Sequence, residues 1–293
     1  MLPIVYGLVS SAAWGAADFI GGLAAKKSSS VRVLYLAEIA GFIPFMMLAI
    51  ILREPFPAVK DMLMGAFASL VGLGGLIFLY RALADGQMTI AAPLSALFAA
   101  LIPVVFGFFT LGAPSAATLI GFGLAFLAVW LISQTDGMNW GFAHADTSAS
   151  TATGSVQRFS ASLRLPLLSG LFFGFYFILI HKATLNAFFW PLTSARFTGF
   201  LALGFFALVT RQPAMPPRET WTLCILNGVI DIAGNGFYVL STHTGRIDVA
   251  AVLGALYPAA TVLLAWIFLK ERISLVQALG IVLALMAIVL FTL

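Results

Sequence analysis

Long apolar blocks alternate along this chain with short gaps that hold charge, proline or glycine. A helix needs about 20 apolar residues to cross about 30 Å of hydrocarbon. Ten segments meet that need: Leu2–Ala25, Val31–Leu52, Met62–Tyr80, Thr89–Leu111, Ala116–Ser133, Leu165–Lys182, Leu192–Thr210, Trp221–Thr242, Ile247–Leu269 and Ile273–Leu293. The gaps include Arg53-Glu54-Pro55, Lys60-Asp61, Arg211-Gln212-Pro213 and Lys270-Glu271-Arg272. One longer gap, Gln134 to Arg164, is rich in Ser, Thr and Ala and reads as a flexible polar linker. The first span has no basic residues ahead of it, and Lys26 and Lys27 follow it. It therefore reads as a span and not as a cleaved signal peptide.

A shift of 159 residues lays the chain on itself. Gly15 then meets Gly174, Trp14 meets Phe173, Gly75 meets Gly234, Phe78 meets Phe237 and Gly86 meets Gly245. Phe98 meets Tyr257, and Gly121, Ala125 and Ala128 meet Gly280, Ala284 and Ala287. Apolar coincidences are cheap here, so the glycines and aromatics carry the weight. The halves are 1–133 and 165–293, with 134–164 as linker. Each has five spans, an odd number, so the second half enters the bilayer upside down. The expected fold is an all-α integral membrane protein of ten transmembrane helices in two inverted five-helix repeats. Such repeats place a substrate site near the midplane and permit alternating access.

Composition agrees with this solvent: 61% of residues are apolar and 9% charged, against about 45–50% and 25% in soluble domains. The net charge of +4 does not point to nucleic acid, because the basic residues are scattered between apolar runs and form no stripe. They report topology instead. Ten Lys and Arg flank the spans on one side and four on the side of the termini, with Arg196 set aside as lying within a span. The positive-inside rule then places both termini outside the cytoplasm. Cys224 is the single cysteine, and the three histidines are far apart in sequence. No metal-ligand spacing, phosphate-binding loop or nucleophile–base constellation is present, so no cofactor is expected and the chain does not read as an enzyme or an ATP-driven pump.

Pro258 to Leu283, with Leu269-Lys270-Glu271-Arg272-Ile273-Ser274 and Gln277-Ala278-Leu279-Gly280, resembles the end of an EamA-type repeat. Trp14-Gly15 and Arg196-Phe197 resemble that family as well, and the likeness covers nearly the whole chain, twice. EamA-type proteins belong to the drug/metabolite transporter superfamily. The resemblance implies a ten-helix carrier in a bacterial inner membrane that exports small metabolites, often amino acids, with aromatic and other neutral ones suggested. Two departures stand out: half one has Gly112 where half two has Glu271, and Glu38 where half two has Phe197.

Ionisable groups within spans are costly and face the bundle interior or water. Asp18, Glu38, Arg196 and Asp231 are the four. Ser11, Trp14 and Asp18 share a helix face, and the matching face of half two carries Gly170, Phe173 and Phe177. The face reads as a substrate or proton site, or Asp18 pairs with a neighbouring group. Glu38 lies roughly two turns in from Arg32 and reads as snorkelling toward the cytoplasm. Asn227, Asp231 and Asn235 recur four residues apart and Tyr238 extends their stripe. Lipid cannot satisfy such a stripe. It lines a cavity, or it bonds other helices, with Arg196 on Asp231. Phe78, Phe98, Tyr176 and Tyr257 complete the candidate substrate-binding set. Trp140 and Trp190 read as interfacial belt residues, and Pro93, Pro103 and Pro258 as kinks. The small-residue faces of spans five and ten read as a packed scaffold. Two functions compete: export of an amphipathic metabolite such as an amino acid, and proton-coupled export of cationic drugs through Asp18 or Glu38. The partners are the bilayer and a small-molecule substrate.

Overall fold

The computed structural model describes residues 1–84, 88–134, 152–270 and 272–293. Gly86, Trp140, His144, Glu271 and most of the expected linker lie outside them. The described residues form helices α1 (Leu2–Ala25), α2 (Ser30–Ile51), α3 (Val59–Ala84), α4 (Met88–Leu111) and α5 (Ala116–Ile132). After the linker come α6 (Ala152–Ala183), α7 (Phe189–Val209), α8 (Trp221–Thr244), α9 (Ile247–Gly254), α10 (Tyr257–Leu264) and α11 (Leu275–Leu290). Among the described residues, eight stretches are long and apolar enough to cross a membrane, Ile247–Leu269 counted as one, and α5 and α11 are shorter apolar helices.

One boundary differs from the sequence reading, and one expected kink is a break. Helix α6 starts at Ala152, so the end of the expected linker is helical. That stretch has no proline or glycine after Gly154 until Pro166, and nothing in it stops a helix from extending. The ninth span is broken. A proline ring clashes with the carbonyl four residues back and lacks the N–H that would bond it. For Pro258 that residue is Gly254, where α9 ends. The span resumes as α10 and finishes in a π-turn, Ala265–Leu269, before Lys270 turns left-handed at φ 56°. By contrast, α4 continues as one helix through residues 93 and 103.

The packing follows the repeat. Helix α1 packs on α8 and α3 on α6, a pair that exchanges under the repeat shift. The contacts α2 with α8 and α3 with α7 exchange in the same way, whereas α2 with α7 and α5 with α11 map onto themselves. Mated helices run antiparallel. Tyr35 meets Phe200 at 5.2 Å and Phe45 meets Phe189 at 6.4 Å. A methyl on Gly121 would strike Phe291, and one on Gly280 would strike Ile132 and the Ala128 carbonyl. Antiparallel mates are what inversion of one repeat requires. Matching caps end α2 and α7: Arg53 and Arg211 turn left-handed, at φ 51° and 53°, and the next N–H bonds back to Ala49 and Ala207, both at 2.9 Å.

Ala125, Ala128, Ala284 and Ala287 are 0–5% exposed in one buried cluster between α5 and α11. Without a hydrophobic drive between helices in lipid, such close approach rests on dispersion. Outward, large side chains such as Phe67, Ile77, Phe109, Phe205 and Leu208 are exposed. A soluble monomer rarely shows apolar patches so extensive; here they form the lipid-facing surface.

Candidate functional site

Between the halves lies a cavity of about 380 Å³. On α1 its wall runs from Trp14 to Asp18, on α6 from Phe173 to Phe177, and on α8 from Asn227 to Asn235. Helices α2, α3, α4 and α7 contribute Leu34 to Glu38, Ser69 to Leu79, Ser95 to Ala99, and Ala195-Arg196. The break in the ninth span contributes Ala255 and Tyr257. Interrupted helices that border a cavity are a recurrent feature of secondary transporters.

Arg196 is the electrostatic centre. Its Nη2 donates to Asp231 Oδ2, and its Nη1 donates to Glu38 Oε2 at 3.4 Å. Glu38 comes from half one and the other two from half two, so the cluster ties the halves together. Asn235 Nδ2 donates to the Asp231 carbonyl at 2.8 Å and to its carboxylate at 3.2 Å, while its Oδ1 accepts from the Tyr176 hydroxyl. Asn227 Nδ2 donates to the Ala17 carbonyl at 2.6 Å. Among the described residues, the ion pairs are these two and Arg246–Asp248. Asp18 belongs to none and is exposed within the cavity. The cavity wall thus carries three carboxylates and one guanidinium.

Of the candidate residues, Trp14, Asp18, Phe173, Tyr176, Phe177, Asn227, Asp231, Asn235 and Tyr257 line this cavity. Four stand elsewhere. Ser11 is buried, and its neighbour Ser10 makes the cross-helix bond, donating to Gly234 O at 2.8 Å. Tyr238 is 1% exposed and sits behind Trp14 and Phe177. Phe78 packs edge-on against Phe172 at 5.2 Å. Phe98 lies at the α4–α6 contact, where a methyl on Gly170 would strike its Cβ. The two readings of the α8 stripe coexist, because its side chains bond other helices and still face the cavity. Glu38 does not snorkel: the antiparallel α2–α7 contact brings it to Arg196. The sequence signal for both was an ionisable group inside an apolar span, and only their meeting was hidden.

Ten crossings in two inverted halves, with a chamber between them that holds four ionisable side chains, define a multi-pass membrane transporter. The EamA-like transporter family matches residues 1–134 and 162–293, and the chain belongs to that family. A solved crystal structure shares the fold at a TM-score of 0.73 and 15% identity, covering 99% of this chain and 96% of that one. An uncharacterized protein of Methanocaldococcus jannaschii is 31% identical over 75 residues, 26% of this chain and 55% of that protein. The chain spans about half the length of that curated relative.

Proposed function

We propose that this transporter is a secondary carrier that exports small amphipathic molecules bearing a protonated amine, amino acids among them, by alternating access between its halves. The observation that carries the reading is Asp18. It is a cavity carboxylate with no cation within ion-pair distance among the described residues, whereas the one cavity guanidinium already faces two carboxylates. An excess of negative charge in a partly dehydrated chamber attracts ammonium and repels anions. Trp14, Phe177 and Tyr257 add aromatic faces that suit both a cation and an apolar side chain. In this reading the carrier sits in a bacterial inner membrane with both termini outside.

One observation keeps zwitterions in view. The Glu38–Arg196 contact is long, at 3.4 Å, so a substrate carboxylate could take that Nη1 while its ammonium takes Asp18. A proton on Asp18 would serve the alternative, proton-coupled export of cations. Counterflow in liposomes decides: labelled neutral amino acids, primary amines and the matching carboxylic acids are compared at equal size. Exchange of amines, with or without amino acids, supports the proposal. Exchange of the acids alone, or of nothing in the panel, sinks it.

A further inference from the structure

We infer that Trp14 sets the length of molecule that the carrier accepts. The inference rests on the reading of the cavity as the substrate chamber. Toward the end holding the chain termini, the chamber reaches furthest along α1, α6 and α8 and stops there at an aromatic layer. Trp14 is the last lining residue on α1, Phe177 on α6 and Asn235 on α8. The indole is stacked on Phe177 at 5.5 Å and 29°, with Tyr238 at 5.7 Å behind it. Beyond that layer Ile180 and Val239 are 1% and 0% exposed.

Two glycines make the slot that holds this floor. A methyl on Gly234 would lie 2.5 Å from the indole Cδ1, and one on Gly254 would lie 2.9 Å from Cζ3. Gly254 is also where α9 ends. Trp14 is thus wedged between α8 and the broken ninth span, and its face is the surface an elongated substrate meets first. A smaller residue at position 14 leaves the chamber open as far as Tyr238.

The test uses purified protein in liposomes, with primary n-alkylamines of rising chain length competing against counterflow of a labelled amine. The wild type should show a cut-off in length. Trp14→Ala should move it outward, with about tenfold stronger competition by a homologue two methylenes beyond it. Trp14→Phe, which keeps the aromatic stack, should move it less, and Gly234→Ala, which drives the indole into the chamber, should move it inward. Partition into the bilayer is common to all variants and cancels. An unchanged cut-off in all three variants overturns the inference and leaves the chamber reading intact. Wild-type protein with no amine counterflow removes both.

A separate observation concerns the closed end. Glu54 follows the α2 cap, and its carboxylate accepts the N–H groups of Phe188 (2.5 Å), Phe189 (2.9 and 3.1 Å) and Trp190 (3.0 Å). The Trp190 indole N–H donates to the Glu54 carbonyl at 3.0 Å. An anion from half one therefore caps the positive start of α7 in half two. Asn186 to Asp61 (3.1 Å) and Ser194 to the Met62 carbonyl (2.8 Å) extend the same seam. The matching caps put Gln212 where Glu54 stands, and among the described residues its side chain bonds no helix start. At the opposite end Ser29 makes no side-chain cap for α2, and Ser28 Oγ and Arg32 Nε are buried without partners among the described residues.

The geometry points to Glu54 as the latch of the end that holds the termini, so that the carrier rests with that end shut. Opening there must pull the carboxylate from three N–H groups, and among the described residues no equivalent bond stands at the other end. The test places the reporter Val239→Cys just beyond the Trp14 floor, in protein whose buried Cys224 is replaced by alanine. Labelling by a membrane-impermeant maleimide, added on the side of the termini, should be slow with Glu54 in place. Glu54→Ala should speed it about ten- to hundredfold, and Glu54→Gln, which keeps one acceptor oxygen, by less. Unchanged labelling in both variants overturns the latch.

Discussion

Replacing Arg196 by glutamine tests whether the contact across the halves is held by charge. The Arg196, Glu38 and Asp231 side chains are 13%, 14% and 30% exposed. Without the guanidinium, two carboxylates share a wall with little water around them. Removing one partner of a buried ion pair costs about 3–5 kcal/mol, because the remaining charge is uncompensated. Asp231 faces the cavity, so the low end of that range, about 3 kcal/mol, is the appropriate figure. Asp231→Asn is milder. An amide oxygen remains for Nη2 and Glu38 remains on Nη1, so the loss is that of one charge-assisted bond, at most about 1.5–3 kcal/mol. The double variant leaves Glu38 as the one carboxylate beside two amides. It should therefore recover part of the loss of Arg196→Gln, a coupling of about 1–2 kcal/mol. Thermal unfolding of purified protein in detergent, followed by tryptophan fluorescence at neutral pH, reads this out. Arg196→Gln should lower the midpoint by roughly 6–12 °C, at about 2–4 °C per kcal/mol. The double variant should unfold above Arg196→Gln and below Asp231→Asn. Equal midpoints for Arg196→Gln and the double variant would refute the charge argument and leave packing alone.

Asp18→Asn should weaken amine binding by about tenfold or more, as expected for loss of an ammonium–carboxylate contact in a partly dehydrated site; an unchanged KM for amines in counterflow counts against the ammonium site. Ala125→Leu or Ala284→Leu overpacks the α5–α11 seam at a cost of about 1–3 kcal/mol. Folded yield should fall without a shift in substrate preference, and cysteines at positions 125 and 284 should cross-link. Both termini should lie outside the cytoplasm: a C-terminal alkaline phosphatase fusion should be active and a green fluorescent protein fusion dark, and the reverse pattern inverts the topology.

Spans, repeat and inversion were legible in the chain because each depends on local or periodic properties. Hydropathy marks what can stand in lipid whatever its neighbours are. A constant offset survives whatever the halves do to each other, and an odd number of spans dictates inversion by counting alone. Pro258 marked a disturbance in the ninth span, since its clash with the carbonyl of Gly254 is an intrahelical effect. The α5–α11 seam was visible for a related reason: small residues repeated in both halves mark a contact across the axis.

The partners of the ionisable groups were decided by tertiary structure. Asp231 and Asn235 share a face because a helix has a fixed period. Arg196 meets Glu38 only because α2 and α7 cross antiparallel at that height. That height depends on how the whole bundle closes. The same closure gives Asp18 to the chamber and takes Tyr238 out of it, though both lie on faces that look equally polar in sequence. A helix face says which residues can act together. Which face meets water, and how deep that water reaches, follows from the packing of all the helices at once.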